Sequence, residues 1–389
     1  MSRGPSADVV VVGGGLVGAA LSYELACAGA SVALVDASHP GRASDAGAGI
    51  VSPETFHDPD EEWFAFGADA AGHLDTLNAR LAEDGADPGP EAFARCGSLV
   101  VALAEHEDPW FTEVADRIAA RHVDVAEISA GEARALFPPL GPLWRALHSP
   151  AAARVDGRRL SDAIRTAAVR RGVTFHSMEV VAFDHRGDRV TSVLGEHGAV
   201  HCDTMVLAGG AWSPGAARRL GVDLPVTPTK GQIVHVALPA LDRADAGGIE
   251  GSASGRWPLV QPILNFYLVP WPGGRVACGG TFEADAGFDC RPTAGGLRDL
   301  MRECVAIAPG LVDATFLEVR VGLRPTSADD RPLLGPLPGW ANVHACTGHG
   351  ANGLLLGPYS GALVAAGVLG TSVGEPTPVP YPAARFFGP

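Results

Sequence analysis

The sequence predicts an α/β protein, and three observations carry that expectation. A β-branched run at 8–12, DVVVV, enters a glycine turn and a helix-forming stretch, and a second apolar run, SVALVD, follows at 31–36. Two later segments, RRGVTFHSMEVVAF at 170–183 and DTMVLAGGAWSP at 203–214, have the same strand-like composition. The length of 389 residues suggests two domains.

Taken in order, DVVVVGGG reads as a buried parallel strand, LVGAALSYELACAG as a helix closed by Gly29, and SVALVD as a second strand. This βαβ unit carries GxGxxG at its strand-to-helix turn, as Gly13, Gly15 and Gly18. Gly13 permits the tight turn, Gly15 lets a pyrophosphate approach the backbone, and Gly18 allows close helix–strand packing. Asp36 ends the second strand, where an acid can hold a ribose hydroxyl. With strand, helix and acid all in place, the turn predicts dinucleotide binding; the alternative is a turn with a structural role only. The small-residue stretch HPGRASDAGAGIVSPE follows at 39–54, either as a plain connection or as backbone lying flat against a planar ring. The run at 203–214 ends in Gly209 and Gly210, so its strand can return to the sheet and meet the ligand again. Near the end, TGHGANGLLLGPYSG at 347–361 is a second glycine-rich loop leading into an apolar helix, another place where bare N–H groups meet a helix dipole. Pro358 removes an internal bond there and is expected to bend that helix or delay its start.

Composition narrows the function. A formal net charge of −15, with Lys230 as the only lysine, argues against a nucleic-acid partner, which needs clustered cations. The start, MSRGPSADVVVVGGG, reads as lacking a signal peptide, and no stretch reads as the roughly 20 apolar residues of a membrane span. Seven scattered cysteines form no CxxC pair, and His197 and His201 flank a hairpin glycine, so no metal site is expected. The expectation is a cytoplasmic protein with free thiols.

GGGLVG with Asp36, ASDAGAGIVSPE, VLAGGAWS, TKGQIVHV, FYLVPWPGGRVACGGTFEADAGFD, GLRPTSADDRPLLG, TGHGANGLLL and the tail AARFF occur in the order seen in FAD-dependent amino acid oxidases. The chain resembles in particular the glycine oxidase and D-amino acid oxidase family, over essentially its whole length. The resemblance implies an FAD-binding Rossmann-like domain interleaved with an α+β substrate domain built on an antiparallel sheet. Residues 1–88, 151–228 and 325–389 would bind FAD, and residues 89–150 and 229–324 would form the substrate domain.

The implied contacts transfer by position. Leu16 and Val17 would offer N–H groups to the pyrophosphate, with Asp36 and Ala37 beside the adenosine ribose. Ala43 and Ser44, then Ala48, Gly49 and Ile50, match the stretch along the flavin, and Val180 matches the residue whose backbone meets adenine. Gly209 and Trp212 lie in the strand that returns to the cofactor. His349, Gly350, Ala351, Asn352, Gly353, Leu354 and Leu355 match the loop at the pyrimidine edge of the flavin, where a helix N-terminus stabilises the charge of reduction. Arg324 matches the arginine that pairs with the substrate carboxylate, a task suited to its planar fork. Its alternative is a turn arginine satisfied by Asp329 or Asp330. Tyr267 matches a tyrosine whose hydroxyl assists that carboxylate; its alternative is a core tyrosine. His349 is read as a hydrogen-bond donor or spacer over the flavin rather than a general base, because in this family hydride passes from Cα directly to flavin N5.

Departures from the family pattern bear on substrate. Glycine oxidases carry a second arginine where this chain has Ala351, and the covalent flavin attachment of sarcosine oxidases has no cysteine here between 305 and 345, so FAD is expected to be non-covalent. The space at Ala351, bordered by Trp271 and Phe282, is expected to take a substrate larger and more apolar than glycine. The resulting reading is oxidation of the C–N bond of an amino acid or related amine to an imine, with oxygen or another acceptor restoring the flavin. Three other readings fit the same residues: a dehydrogenase component passing electrons to a partner or quinone, a non-catalytic flavin-binding subunit, and a hydroxy-acid oxidase.

Overall fold

The strand Ser6–Val12, the helix Leu16–Cys27 and the strand Val32–Asp36 form the βαβ unit read from the sequence, with the two strands paired in parallel. The computed structural model describes residues 5–55, 58, 60–121, 124–238, 253–263, 266–371 and 379–387. Val32–Asp36 is buried along its whole length, which explains a continuous apolar run in place of alternation. The strand Gly198–Leu207 lies parallel to the other side of the first strand, and Thr174–Ser177 lies parallel to the second. Both later runs therefore join the same sheet. Gly198–Leu207 serves two further partners, closing a hairpin with Arg189–Gly195 at its start and pairing with Val343–Thr347 at its end. His197 stands exposed in the turn of that hairpin, and His201 turns its ring to the Ser192 hydroxyl, 2.9 Å away.

The helix Gly353–Leu369 packs against Leu16–Cys27, and glycine makes the approach possible. A Cβ at Gly357 would come within 2.8 Å of Val17, and one at Gly361 within 2.8 Å of the Leu21 backbone nitrogen. The contacts advance by four residues along both helices together, so the helices run parallel and their N-termini open on the same side. Against the sequence reading, Gly350–Leu369 is long and apolar enough to cross a membrane by length and composition. Two-thirds of it is buried, between Leu16–Cys27 and the amphipathic helix Glu61–Glu83, and this packing accounts for its apolar composition. Pro358 does not delay the start: the helix begins at Gly353, after a single 3₁₀ turn at Gly350–Asn352.

A second sheet runs in the order Thr315–Ser327, Val226–Ala237, Arg275–Gly279, Tyr267–Pro270, Leu259–Pro262, Ser98–Ala102, Arg145–Ser149, Ala126–Ile128. Its pairs are antiparallel except for Leu259–Pro262 with Ser98–Ala102. One face buries Val234, Val236, Leu268 and Cys278 with Leu300 and Cys304 of the helix Ala294–Ile307. Strand alternation then turns Gly231, Ile233, Tyr267 and Gly279 to the opposite face. A small three-stranded sheet, Ile50–Val51, Ala153–Val155 and Phe93–Arg95, lies among the segments that connect the two large ones.

Candidate active site

A cavity of about 1000 Å³ follows from this arrangement, between the carboxyl edge of the parallel sheet and the glycine-bearing face of the second sheet. That is the upper end of the range for small-molecule sites, about 300–1,000 Å³, so the cavity suits a long ligand. At one end, Gly13 adopts φ +113°, and a Cβ there would strike the Ala208 carbonyl at 2.5 Å. A Cβ at Gly18 would overlap the Gly13 carbonyl, so Gly18 serves packing and does not line the cavity. Asp36 lies close over the turn: a side chain at Gly14 would meet its carboxylate at 2.8 Å. That carboxylate accepts from Arg42 at 2.8 Å and from the Ser38 N–H at 3.2 Å. The Leu16 N–H, the first donor of its helix, reaches the Ser44 hydroxyl at 3.0 Å. Gly15, Val17, Ala37, Ala43, Ala48, Gly49, Ile50, Val180, Gly209 and Trp212 line the same cavity. Trp212 stacks on His39 with ring centroids 5.2 Å apart.

Farther along, the second sheet sets Arg324 and Tyr267 in a niche that glycine clears. A Cβ at Gly231 would lie 2.3 Å from an Arg324 guanidinium nitrogen, and one at Gly279 would lie 2.5 Å from the Tyr267 ring. A Cβ at Gly280 would meet the Tyr267 hydroxyl at 2.7 Å and Arg324 at 3.3 Å, which places the two functional groups side by side. Arg324 donates to the Thr281 carbonyl at 3.0 Å, and its guanidinium lies 5.6 Å from the centroid of the Phe282 ring. Asp329 is occupied by Arg385 at 2.8 Å, and among the described residues Arg324 forms no ion pair. Burial pushes the Tyr267 phenol upward while Arg324 draws it down, with burial the larger influence, so the hydroxyl keeps its proton as a donor.

The tail loop forms the third wall. His349, Gly350, Ala351, Asn352, Gly353 and Leu354 line the cavity, whereas Leu355 is buried in the core beneath the helix. His349 is buried, its Nε2 has no hydrogen-bond partner among the described residues, and burial lowers its pKa to about 4. A neutral ring results, held at the cavity wall.

Two expected borders lie elsewhere. Trp271 is 3% exposed, sandwiched with Arg154 and Arg275, and it faces a separate small cleft. Phe282 is 67% exposed and only covers the Arg324 guanidinium from outside. Both sit on strand-end segments whose direction depends on strand register and cannot be read from composition. The wall beside Tyr267 is instead polar, made by Ser52, Thr55 and Gln261. Sequence reasoning missed these residues, together with Gly231, Gly279, Gly280, Thr281 and Arg42. The GG pairs and the glycine in TKGQIVHV were the available signal, since glycine within a strand marks a close approach.

The residues present fit FAD. Glycine clears the βαβ turn and the Arg324 niche where a Cβ would intrude, two parallel helix N-termini open on one cavity, and at its far wall lies a buried His349 nitrogen with no partner among the described residues. Among the described residues no cluster of His, Cys, Asp or Glu would hold a metal.

Comparison with known proteins agrees. The family model described as FAD dependent oxidoreductase (DAO) matches residues 8–366. The chain is 34% identical to the uncharacterized oxidoreductase YurR of Bacillus subtilis, covering 93% of this chain and 94% of that protein. It is 32% identical to a glycine oxidase of Pseudomonas aeruginosa, over 98% of this chain and 100% of the relative. Among solved structures, iminodiacetate oxidase from Chelativorans sp. BNC1 superposes with a TM-score of 0.87 at 35% identity, covering 96% of this chain and 98% of the other. With the family match spanning the βαβ turn, the Arg324 niche and the tail loop, this chain belongs to the DAO family of FAD-dependent oxidoreductases.

Proposed function

We propose that the enzyme oxidises the C–N bond of an amino acid, or of a related amine bearing a carboxylate, to an imine that water hydrolyses. One observation carries the reading: an arginine with no ion-pair partner among the described residues, beside a protonated tyrosine hydroxyl, in a niche opened by glycine at the wall of the FAD cavity. Arg324 would bind the carboxylate bidentately while Tyr267 donates to the same group, and together they would fix which Cα–H bond faces the cofactor. The relatives named glycine oxidase and iminodiacetate oxidase support a carboxylate-bearing amine as the substrate class.

On the cofactor side, Leu16 and Val17 would bind the pyrophosphate, Asp36 and Ala37 the adenosine ribose, and Val180 the adenine. Ala43, Ser44, Ala48, Gly49 and Ile50 would lie along the flavin, with His349 to Leu354 at its pyrimidine edge. When bound, FAD supplies the two-electron acceptor. His349 would act as a neutral spacer or hydrogen-bond partner, since a ring already deprotonated down to about pH 4 is a poor proton acceptor at neutral pH. Residues 1–88, 151–228 and 325–389 would form the cofactor domain, with 89–150 and 229–324 as the substrate domain. Oxygen would restore the flavin, giving hydrogen peroxide.

The test is anaerobic mixing of the FAD-loaded enzyme with a panel of D-, L- and N-alkyl amino acids, followed by air. Bleaching of the flavin absorbance is expected with at least one of them, then stoichiometric peroxide on aeration. No bleaching with any carboxylate-bearing amine defeats the reading; bleaching that persists in air points to another acceptor.

A further inference from the structure

We propose that Gln261, held by Ser52 and Thr55, is a second recognition point in the cavity, selecting substrates whose other arm carries a hydrogen-bond acceptor oxygen, as in a carboxylate or an amide. This rests on the amine oxidation proposed above and specifies its substrate.

Position comes from strand register. Val260 lies opposite Leu268 in an antiparallel pair, so the next residues outward, Gln261 and Tyr267, are neighbours on one face. Both line the cavity. A substrate whose carboxylate lies between Arg324 and Tyr267 therefore has Gln261 beside it, with Ser52 and Thr55 as the next surface.

Direction comes from a chain of hydrogen bonds with a buried carboxylate at its root. Glu54 is 4% exposed, and its Oε1 accepts from the Ser52 hydroxyl at 2.9 Å and from the Ser149 hydroxyl at 2.6 Å. Glu54 does not itself line the cavity. The single proton of Ser52 is thereby committed, and its oxygen is left to accept from Gln261 Nε2 at 3.4 Å. On its other side the Gln261 carbonyl oxygen stands 3.2 Å from the Thr55 hydroxyl, which also reaches the Ser52 carbonyl at 2.8 Å. A flipped amide would set its oxygen against the Ser52 lone pairs, so Ser52 favours the orientation that turns Nε2 toward it. An amide nitrogen carries two hydrogens, and Ser52 uses one. Among the described residues the second has no partner, and it belongs to a side chain on the cavity wall.

A fixed donor in that place discriminates by what it loses. A substrate arm with an acceptor oxygen satisfies it, whereas an alkyl arm of the same shape covers it and strands it away from water. The pocket beside Tyr267 is therefore selective for polar arms, where a merely enlarged pocket would favour apolar bulk.

Isosteric pairs test this. For an arm on Cα, aspartate and asparagine are compared with leucine, in both chiral forms. For an arm on nitrogen, N-(carboxymethyl)glycine and N-(carbamoylmethyl)glycine are compared with N-isobutylglycine. The FAD-loaded enzyme should turn over at least one acceptor-bearing substrate about tenfold or more better in kcat/KM than its alkyl isostere, and the carboxylate and amide members identify which oxygen it takes. Gln261→Leu should erase that advantage, chiefly through KM, without lowering turnover of the alkyl substrate. An equal loss for both members of a pair, or no preference in the unaltered enzyme, overturns the proposal; if Gln261→Leu does not fold, the unaltered enzyme's ratio decides alone. Flavin bleached by no amine would defeat the proposed oxidation, whereas bleaching without acceptor preference defeats only this inference.

Discussion

At the scale of single residues, the Arg324 niche depends on glycines as much as on charged groups. Arg324 owes its position to the missing side chain at Gly231, where even a methyl group would come within 2.3 Å of the guanidinium. Gly231→Ala is therefore expected to act as a displaced arginine: KM for a carboxylate-bearing substrate rises about tenfold or more, with FAD affinity unchanged. An unaltered KM would show that the guanidinium has room to move. Arg324→Ala should cost about 2–5 kcal/mol of transition-state stabilisation through a lost charged pair and lost alignment. The measurement is kcat/KM against an amine lacking the carboxylate, for which the same variant should lose little. Equal losses with both substrates would remove Arg324 from the carboxylate.

At the scale of elements, the parallel pair Leu16–Cys27 and Gly353–Leu369 brings two distant loops to one cavity. Gly361 sets their separation, since a Cβ there meets the Leu21 backbone, which has no rotamer through which to yield. Gly361→Val should force the helices apart at a cost of about 1–3 kcal/mol, as for other overpacked cores. Because both N-termini face the cavity, FAD affinity should weaken together with thermal stability. A destabilised variant that retains full FAD affinity would show that the loops hold the cofactor independently of the helix pair. Pro358 sits inside the longer helix and forfeits its bond to the Leu354 carbonyl, a loss the surrounding core tolerates.

At the scale of the whole molecule, two buried neutral histidines make the fold sensitive to acid. Among the described residues His235 finds no hydrogen bond for either ring nitrogen; burial, reinforced by Arg320 and Arg275, lowers its pKa to about 3. His349 lies at about 4 through burial alone. The unfolded chain takes up these protons near pH 6.5 and the folded one does not, so stability falls as pH drops below about 6.5. The loss levels off only once the folded rings protonate. For His235 alone this amounts to about 2 kcal/mol by pH 5. His235→Leu should narrow the difference in melting temperature between pH 7.5 and pH 5; parallel profiles for the two proteins would contradict the assignment. FAD is expected to be released by acid precipitation, leaving its colour in the supernatant. Cys346 is the cysteine along the cavity wall, and burial pushes its thiol well above the ordinary value, away from the reactive thiolate. Colour retained in the pellet would overturn this.

The sequence by itself determined the features whose physics is local. The βαβ turn was legible because Gly13 and Gly18 occupy places where backbone touches backbone, and such contacts permit no other residue. The motif around Arg324 and the glycines of the tail loop pointed to segments that do line the cavity. Trp271 and Phe282 were misplaced, and Gln261 passed unnoticed, for one shared reason. Which face a strand residue presents, and what lies across from it, depends on register with segments far away in the chain. Gln261 meets Ser52 across 209 positions and Thr55 across 206, a pairing without local signature. The same holds for Gly350–Leu369, whose composition suits a bilayer as well as a protein core until the helices around it are in place. Local backbone sterics are written in residue type, whereas the polarity of a pocket is a property of surfaces that meet only after folding.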